Sequence, residues 1–212
     1  SDEVAAAGLL KGCTTEFLVE RCARVRANWP VLVHAAAGGV GLLLVQWLKH
    51  AGATVIGTVS TPEKAALAQN AGADHVILYK SEDVAARVRE LTGGAGVRVT
   101  FDGVGMTTWE ASLAATGRRG MIVSYGNAGG PVTGINLGTL AQKGSLFVTR
   151  PTLFDYYSDP AERQAGADYV FDMFRQGVIS ANIGQTYALE DAAQAHRDLE
   201  AGKTVGATIL KL

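Results

Sequence analysis

Apolar and polar positions along this chain change period at Asn28. Before it, from Asp2 to Val25, Leu9, Leu10, Phe17, Leu18, Cys22 and Val25 recur at helical spacing and predict one helix that breaks at Asn28-Trp29-Pro30. After it, short and almost wholly apolar runs alternate with helical patterns. Strands are predicted over residues 31–35, 54–59, 75–79, 97–101, 119–124 and 145–149. Helices are predicted between them over 40–50, 62–70, 82–91, 108–115 and 137–142.

This alternation, with short glycine-marked connections, predicts right-handed crossover units and a parallel sheet covered on both faces. Strands without polar alternation are those of a sheet buried on both sides. The predicted fold is therefore α/β, a doubly wound six-stranded parallel sheet of the Rossmann type, in the order 3-2-1-4-5-6. The tail breaks the pattern. A helix over 159–176 still suits the sheet, but the segment 184–189, a helix at 191–200 and a strand at 207–210 read as the edge of something else. The expected division is 1–27 as a junction helix, 28–180 as the dinucleotide-binding unit and 181–212 as a C-terminal return. No internal repeat or low-complexity segment occurs.

Hydrophobic residues make up 48% and charged residues 18%, the values of an ordinary globular chain. Nineteen basic against twenty acidic residues leave a net charge of -1, so nothing electrostatic favours nucleic acid or an anionic membrane as a partner. No apolar run reaches transmembrane length, and Ser1-Asp2-Glu3 does not begin a signal peptide. The missing initiator Met points to a processed, excised or truncated chain. Cys13 and Cys22, nine residues apart on one predicted helix, stand about 13 Å apart, too far for a disulfide. Reduced cysteines and a cytoplasmic setting are expected.

Candidate chemistry begins after the first strand, at Ala36-Ala37-Gly38-Gly39-Val40-Gly41. Against the pattern G-x-G-x-x-G, Ala36 replaces the first glycine, Gly38 is the second and Gly41 the third. Gly38 lets backbone amides approach a pyrophosphate, Gly41 lets the helix pack on the strand, and the helix N-terminus stabilises the negative charge. Alone such a loop is weak; at the head of six alternating units it is strong.

At the end of the second strand, about 20 residues further on, an NAD site places Asp or Glu on the ribose hydroxyls. This chain has Val59-Ser60-Thr61-Pro62-Glu63-Lys64. The Ser60 hydroxyl does not repel a 2′-phosphate. With Thr61 as N-cap and Pro62 as first helical residue, Lys64 falls in a first turn, where a cation opposes the helix dipole by roughly 0.3–1 kcal/mol unless an anion binds there. Tyr79, ending the third strand, is placed to stack on or bond to the same end of the nucleotide, and Glu63 is expected to face solvent. NADPH is the expected cofactor.

With these residues read, the chain resembles the NADPH:quinone oxidoreductase (zeta-crystallin-like) branch of the medium-chain dehydrogenase/reductase superfamily. The resemblance spans essentially the whole chain. Its most specific pieces are Leu10-Lys11-Gly12-Cys13-Thr14, the run from Val33 to Gly41, Phe101-Asp102-Gly103-Val104-Gly105, Ser124-Tyr125-Gly126-Asn127 and the run from Gly144 to Pro151. It implies that Thr14, Asn127 and Phe147 lie near the nicotinamide. It implies also that Gly38, Gly39 and Val40 hold the pyrophosphate, that Ser60, Lys64 and Tyr79 surround the 2′-phosphate, and that Val104 lines the adenosine side. One position departs: the family commonly has an arginine at the 2′-phosphate where this chain has Gly202, with Lys203 beside it as a substitute lacking arginine's fork. A second departure is larger, since the GroES-like catalytic domain of the family is built mostly from residues that would precede Ser1.

Other residues carry blander readings. His34, His50, His75 and His196 lack metal-ligand spacing, and with two isolated cysteines no zinc site is expected. His34 reads as a satisfied core residue, Asp102 as a turn or capping residue, and Trp29, Trp47 and Trp109 as packing residues. Tyr156-Tyr157 suits a substrate entrance, an exposed loop or a subunit contact. The expected activity is zinc-independent hydride transfer from NADPH to a quinone or other conjugated carbonyl, with no catalytic residue assigned in this chain. The alternatives are an enoyl or haloacrylate-type double-bond reductase and a crystallin-like NADPH-binding module without turnover. The sixth strand, as a sheet edge, suggests a homodimer.

Overall fold

A computed structural model describes residues 1–212. Ser1 caps α1 (Asp2–Glu16), whose acidic first turn suits the helix dipole. The helix does not run on regularly to Val25. Phe17–Ala23 winds as a π-helix and ends at Arg24 in the left-handed region, φ 49°. The buried face is also not the expected one: Leu10 is 66% exposed, whereas Gly8, Gly12 and Cys13 are buried. The small face wins because α1 lies so close to α8 (Pro160–Arg175) that a Cβ on Gly12 would collide with Val170.

The central sheet comprises β1 (Pro30–Val33), β2 (Thr54–Val59), β3 (His75–Leu78), β4 (Val97–Asp102), β5 (Thr116–Ser124) and β6 (Phe147–Thr149). All neighbours pair parallel, in the order β3-β2-β1-β4-β5-β6. The crossovers carry α2 (Gly39–His50), α3 (Pro62–Asn70), α4 (Val84–Leu91), α5 (Trp109–Ala115), preceded by a 3-10 turn at Met106–Thr108, and α6 (Leu137–Gln142). Period-two alternation on β1 divides the core. Val31 and Val33 pack with Leu43, Leu44 and Trp47 of α2, with Phe17, and with Val170 of α8. Leu32, between them, joins Ile56, Ile77, Val84 and Val88 under α4 on the opposite face.

Local chemistry sets the element ends. Ser145 takes φ 57°, outside the extended region, and β6 begins two residues later at Phe147. Asp83 caps α4 by accepting from the Ala86 amide at 2.9 Å, so that helix starts after Glu82. A register shift between Val97 and Val99 accompanies the longer β5.

Beyond β6 follow α7 (Leu153–Tyr156), α8, β7 (Ile183–Ala188), a 3-10 turn at Leu189–Asp191, α9 (Ala192–Glu200) and β8 (Ala207–Lys211). β7 and β8 form a separate parallel pair. Ala207 and Ile209 of β8 bury against Ala7 of α1, so the two ends of the chain meet. Just before β8, Gly206 bridges to Gly38 and donates its amide to the Ala37 carbonyl at 3.0 Å, which ties the tail to the loop after β1.

Candidate dinucleotide site

Strand order reverses between β1 and β4, and in such sheets ligands bind beyond the carboxyl ends of the strands at that point. Three cavities line up there. The first residues past the strands supply much of their walls: His34 and Ala35 after β1, Ser60 after β2, Tyr79 after β3, Val104 after β4, Tyr125 after β5 and Arg150 after β6.

The turn after β1 is tight because Ala36 donates to the Thr58 carbonyl and Gly38 to the Ala35 carbonyl. The left-handed residue in it is Ala35, φ 52°, one place before the position matched to the missing glycine. Gly41 has no room for a side chain, since a Cβ would collide with the Ala35 carbonyl oxygen. Gly38 is the N-cap of α2 and no side chain caps that end, which leaves first-turn amides of Gly39 and Val40 for an anion. These residues fit a pyrophosphate.

Beside the loop a cavity of about 130 Å³ is lined by Ala35, Ala37, Gly38, Val59, Ser60, Lys64, Tyr79 and Thr204. Thr61 caps α3, accepting from the Lys64 amide at 3.3 Å, with Pro62 next and Glu63 exposed. Lys64 Nζ donates to the Gly202 carbonyl at 2.8 Å. Lys203 does not join the cavity. Its ammonium pairs with Asp198 at 3.2 Å, because the left-handed turn at Gly202 (φ 66°) carries it outward, and Thr204 faces the pocket instead.

A neighbouring cavity of about 330 Å³ includes His34, Thr58, Tyr79, Glu82, Val104 and Thr108 in its lining. Under it lies a buried polar network. Ser112 donates to Asp102 Oδ2 at 2.6 Å, so its oxygen accepts Nε2–H of His34 at 3.1 Å. His34 Nδ1 then accepts from the Thr58 hydroxyl at 3.0 Å. Asp102 Oδ1 accepts from the amides of Val104 and Gly105, 2.9 Å each, and from the Thr108 hydroxyl at 2.8 Å. Burial holds the His34 pKa below its ordinary value, against an opposing pull from Asp102. His34 is thus a neutral, doubly bonded core residue, and Asp102 shapes the Val104 turn.

The third cavity, about 460 Å³, is lined by Thr14, Phe17, Tyr125, Arg150, Pro151, Thr152 and Leu153. Thr14 spends its proton on the Leu10 carbonyl, 2.8 Å, leaving its oxygen free to accept. Burial, together with Asp102, raises the Tyr125 phenol above its ordinary pKa, so it remains a donor. The wall is braced behind by Glu16, whose Oε2 accepts from Arg21 at 2.6 Å and from Tyr157 at 2.8 Å. Phe17 stacks on Tyr156 with ring centroids 4.8 Å apart. Tyr157 is therefore neither an exposed loop residue nor an entrance residue; it is buried and bonded.

Two residues that the resemblance placed near the nicotinamide do not reach this cavity. Asn127 is exposed beyond β5, where its carbonyl closes a turn to Gly130 at 3.0 Å. Phe147 opens β6 and faces a different depression with Ala23, Trp29, Arg98 and Met121, toward the amino ends of the strands. Conversely, Tyr125, Arg150 and Thr204 line these cavities although no motif points to them. Tyr125 and Arg150 are the first residues after predicted strands, and that rule alone singles them out.

A protein-family model described as zinc-binding dehydrogenase matches residues 39–154, more than half of the chain. The chain belongs to this family. Within it, a quinone oxidoreductase of Pseudomonas aeruginosa is 52% identical over 208 residues, covering 98% of this chain and 64% of that protein. The crystal structure of Escherichia coli quinone oxidoreductase complexed with NADPH superposes with a TM-score of 0.97 at 47% identity, covering all of this chain and 66% of that one. A 2-haloacrylate reductase of Burkholderia is 43% identical, over 99% of this chain and 63% of its own length. The chain thus spans less than two thirds of the relatives it matches. The family is named for zinc, yet no three His, Cys, Asp or Glu side chains gather here into a group that could hold a metal ion, so these residues do not fit that ion.

Proposed function

We propose that this chain is the NADPH-binding part of an oxidoreductase that passes a hydride to a quinone or other conjugated carbonyl, without zinc. One observation carries the cofactor assignment. Where an NAD site needs a carboxylate on the ribose, the end of β2 offers Ser60 and Lys64, in one cavity with Gly38 and Tyr79. Gly38, Gly39 and Val40 would hold the pyrophosphate, Val104 the adenosine side, and Thr14 the nicotinamide side. Bound NADPH supplies the hydride; the protein has to orient it and exclude water. Tyr125 and Arg150 line the cavity in which the nicotinamide and the acceptor would meet. Residues 1–27 and 181–212 are assigned to the junction with a catalytic domain. The setting is proposed as cytoplasmic, and the edge strand β6, with Phe147 59% exposed, as a homodimer contact. No helix is long and apolar enough to cross a membrane.

The 2-haloacrylate reductase relative supports a second reading, reduction of a carbon–carbon double bond by the same donor. NADPH fluorescence is titrated first in the absence of an acceptor. Then 1,4-naphthoquinone or a simple acrylate is added. Binding followed by faster oxidation with the quinone supports the first reading, and faster oxidation with the acrylate the second. Binding without turnover leaves a binding module. Absence of any NADPH binding by the folded protein sinks all three.

A further inference from the structure

The side chain of Lys11 lies across the start of the phosphate loop. A Cβ on Gly39 would sit 2.6 Å from Lys11 Cε and 2.8 Å from Cδ, far inside carbon–carbon contact, so the lysine methylenes rest on the Gly39 backbone. Gly39 is the first residue of α2, the helix end that no side chain caps. Lys11 and Thr14 stand three residues apart on α1 and share a face. Thr14 lines the nicotinamide-side cavity and Lys11 lies one turn back, over the loop. A dinucleotide running from that cavity to the Ser60–Lys64 pocket passes its pyrophosphate between them. The lysine is half-buried, burial lowers its pKa, and no carboxylate acts to restore it. A cation held in a desolvated place without an anion is poised to accept one.

We infer that Lys11 is a cofactor-binding residue whose ammonium neutralises the pyrophosphate of the dinucleotide, acting with the first-turn amides of α2. The inference rests on the nucleotide reading above and adds a division of labour. Lys11 serves the group common to NADPH and NADH, whereas Lys64 serves the 2′-phosphate alone.

The test is a calorimetric titration of the wild type, Lys11→Met and Lys11→Arg with NADPH, NADH and 2′-AMP, which carries the 2′-phosphate but no pyrophosphate. Lys11→Met keeps the methylenes on Gly39. It is expected to weaken NADPH and NADH by a common factor of about tenfold and to leave 2′-AMP unchanged, while Lys11→Arg retains most of the affinity. In the unaltered protein, acetylation of Lys11 followed by mass spectrometry should slow with NADPH and not with 2′-AMP. The inference is overturned if Lys11→Met binds NADPH within twofold of the wild type. It is equally overturned if 2′-AMP affinity falls as far as NADPH affinity, or if NADPH leaves Lys11 acetylation unchanged. Those results, with wild-type NADPH binding intact, remove Lys11 alone; a wild type that binds none of the three ligands removes the nucleotide reading as well.

Discussion

The two sides of the strand-order reversal build their ligand surfaces in different ways. On the proposed adenosine side the buried network under the surface comes from one stretch, residues 34–112, and the tail adds only Thr204 and the Gly202 carbonyl at the rim. His34, Thr58, Asp102 and Ser112 are brought together by consecutive crossovers, and each polar atom in the network has a named partner. On the side proposed for the nicotinamide the wall is assembled from α1, the residue after β5 and the segment from Arg150 to Leu153. It is braced by bonds between residues very far apart in sequence, Tyr157 to Glu16 across 141 positions and Arg21 to the Tyr156 carbonyl across 135. A surface made by local crossovers is specified by turn chemistry. A surface made by distant segments is specified by a few buried polar contacts, and losing one of those should loosen it selectively.

The largest effect that contrast predicts is at Gly41. Gly41→Val forces side-chain carbon into the Ala35 carbonyl and parts α2 from β1, so both cavities that share the loop should be lost. The expected cost is about 3 kcal/mol or more in urea unfolding, since the obstacle is backbone and cannot move aside. A native-like midpoint would mean that the loop is more plastic than its hydrogen bonds indicate. Next is Glu16→Ala, which takes from the largely buried Arg21 its close carboxylate, leaving only Glu162 at 3.9 Å and the Tyr156 carbonyl, and leaves Tyr157 without its acceptor. About 2–3 kcal/mol of stability should go, less than for a fully buried pair because Arg21 keeps some solvent. The same variant should still bind 2′-AMP with unchanged affinity. A loss of 2′-AMP binding would show that the two sides are coupled and break the comparison.

This contrast also explains what was legible in the sequence. The strand order could be read in full, because near-continuous apolar strands with glycine-marked crossovers admit few other packings. Thr61, Pro62 and Lys64 likewise followed from local capping rules and fall where those rules put them. The faces of α1 were not legible. Leucines at helical spacing predict a buried apolar stripe, but close approach to α8 selects the glycine face, and that depends on a helix more than 140 residues away. The end of the sheet at which Phe147 lies was not legible for a related reason. Whether a strand residue sits at the carboxyl or the amino end of the sheet depends on where the strand begins, and β6 begins at Phe147 itself. Ala35, not the position matched to the missing glycine, carries the strained turn, which a motif alignment alone cannot show.

A smaller effect sharpens the adenosine side. Because burial depresses the folded-state pKa of His34, the unfolded chain binds more protons than the native one once pH drops below the ordinary histidine value of about 6.5. Stability is therefore fully present above that value and declines as pH falls toward the folded-state pKa, with a limiting slope of about 1.4 kcal/mol per pH unit for one proton. Urea unfolding of the wild type and His34→Gln between pH 7.5 and 5.5 measures it. The variant should start lower, having lost bonds to Thr58 and Ser112, and should show a shallower decline. Equal slopes in both proteins would mean that His34 is already charged in the fold, which its two hydroxyl partners argue against.

The smallest effect concerns the pocket proposed for the 2′-phosphate, which is lined by one cation, Lys64, and no arginine. Gly202 turns left-handed, a conformation that suits glycine, and offers only its carbonyl, on which Lys64 Nζ rests at 2.8 Å. That exposed bond joins the ammonium to a neutral carbonyl and leaves its charge unpaired, so a phosphate, which pairs the charge as well, can displace it. Lys64→Met should raise the Kd for NADPH about fivefold, roughly 1 kcal/mol, and leave NADH within error, because the lost contact is to the 2′-phosphate alone. Thr204 and Ser60 remain in the pocket, so the preference should shrink without reversing. If NADH weakens by the same factor, Lys64 acts on the shared part of the cofactor, and the separation between a specificity end at β2 and a common pyrophosphate cradle at α2 does not hold.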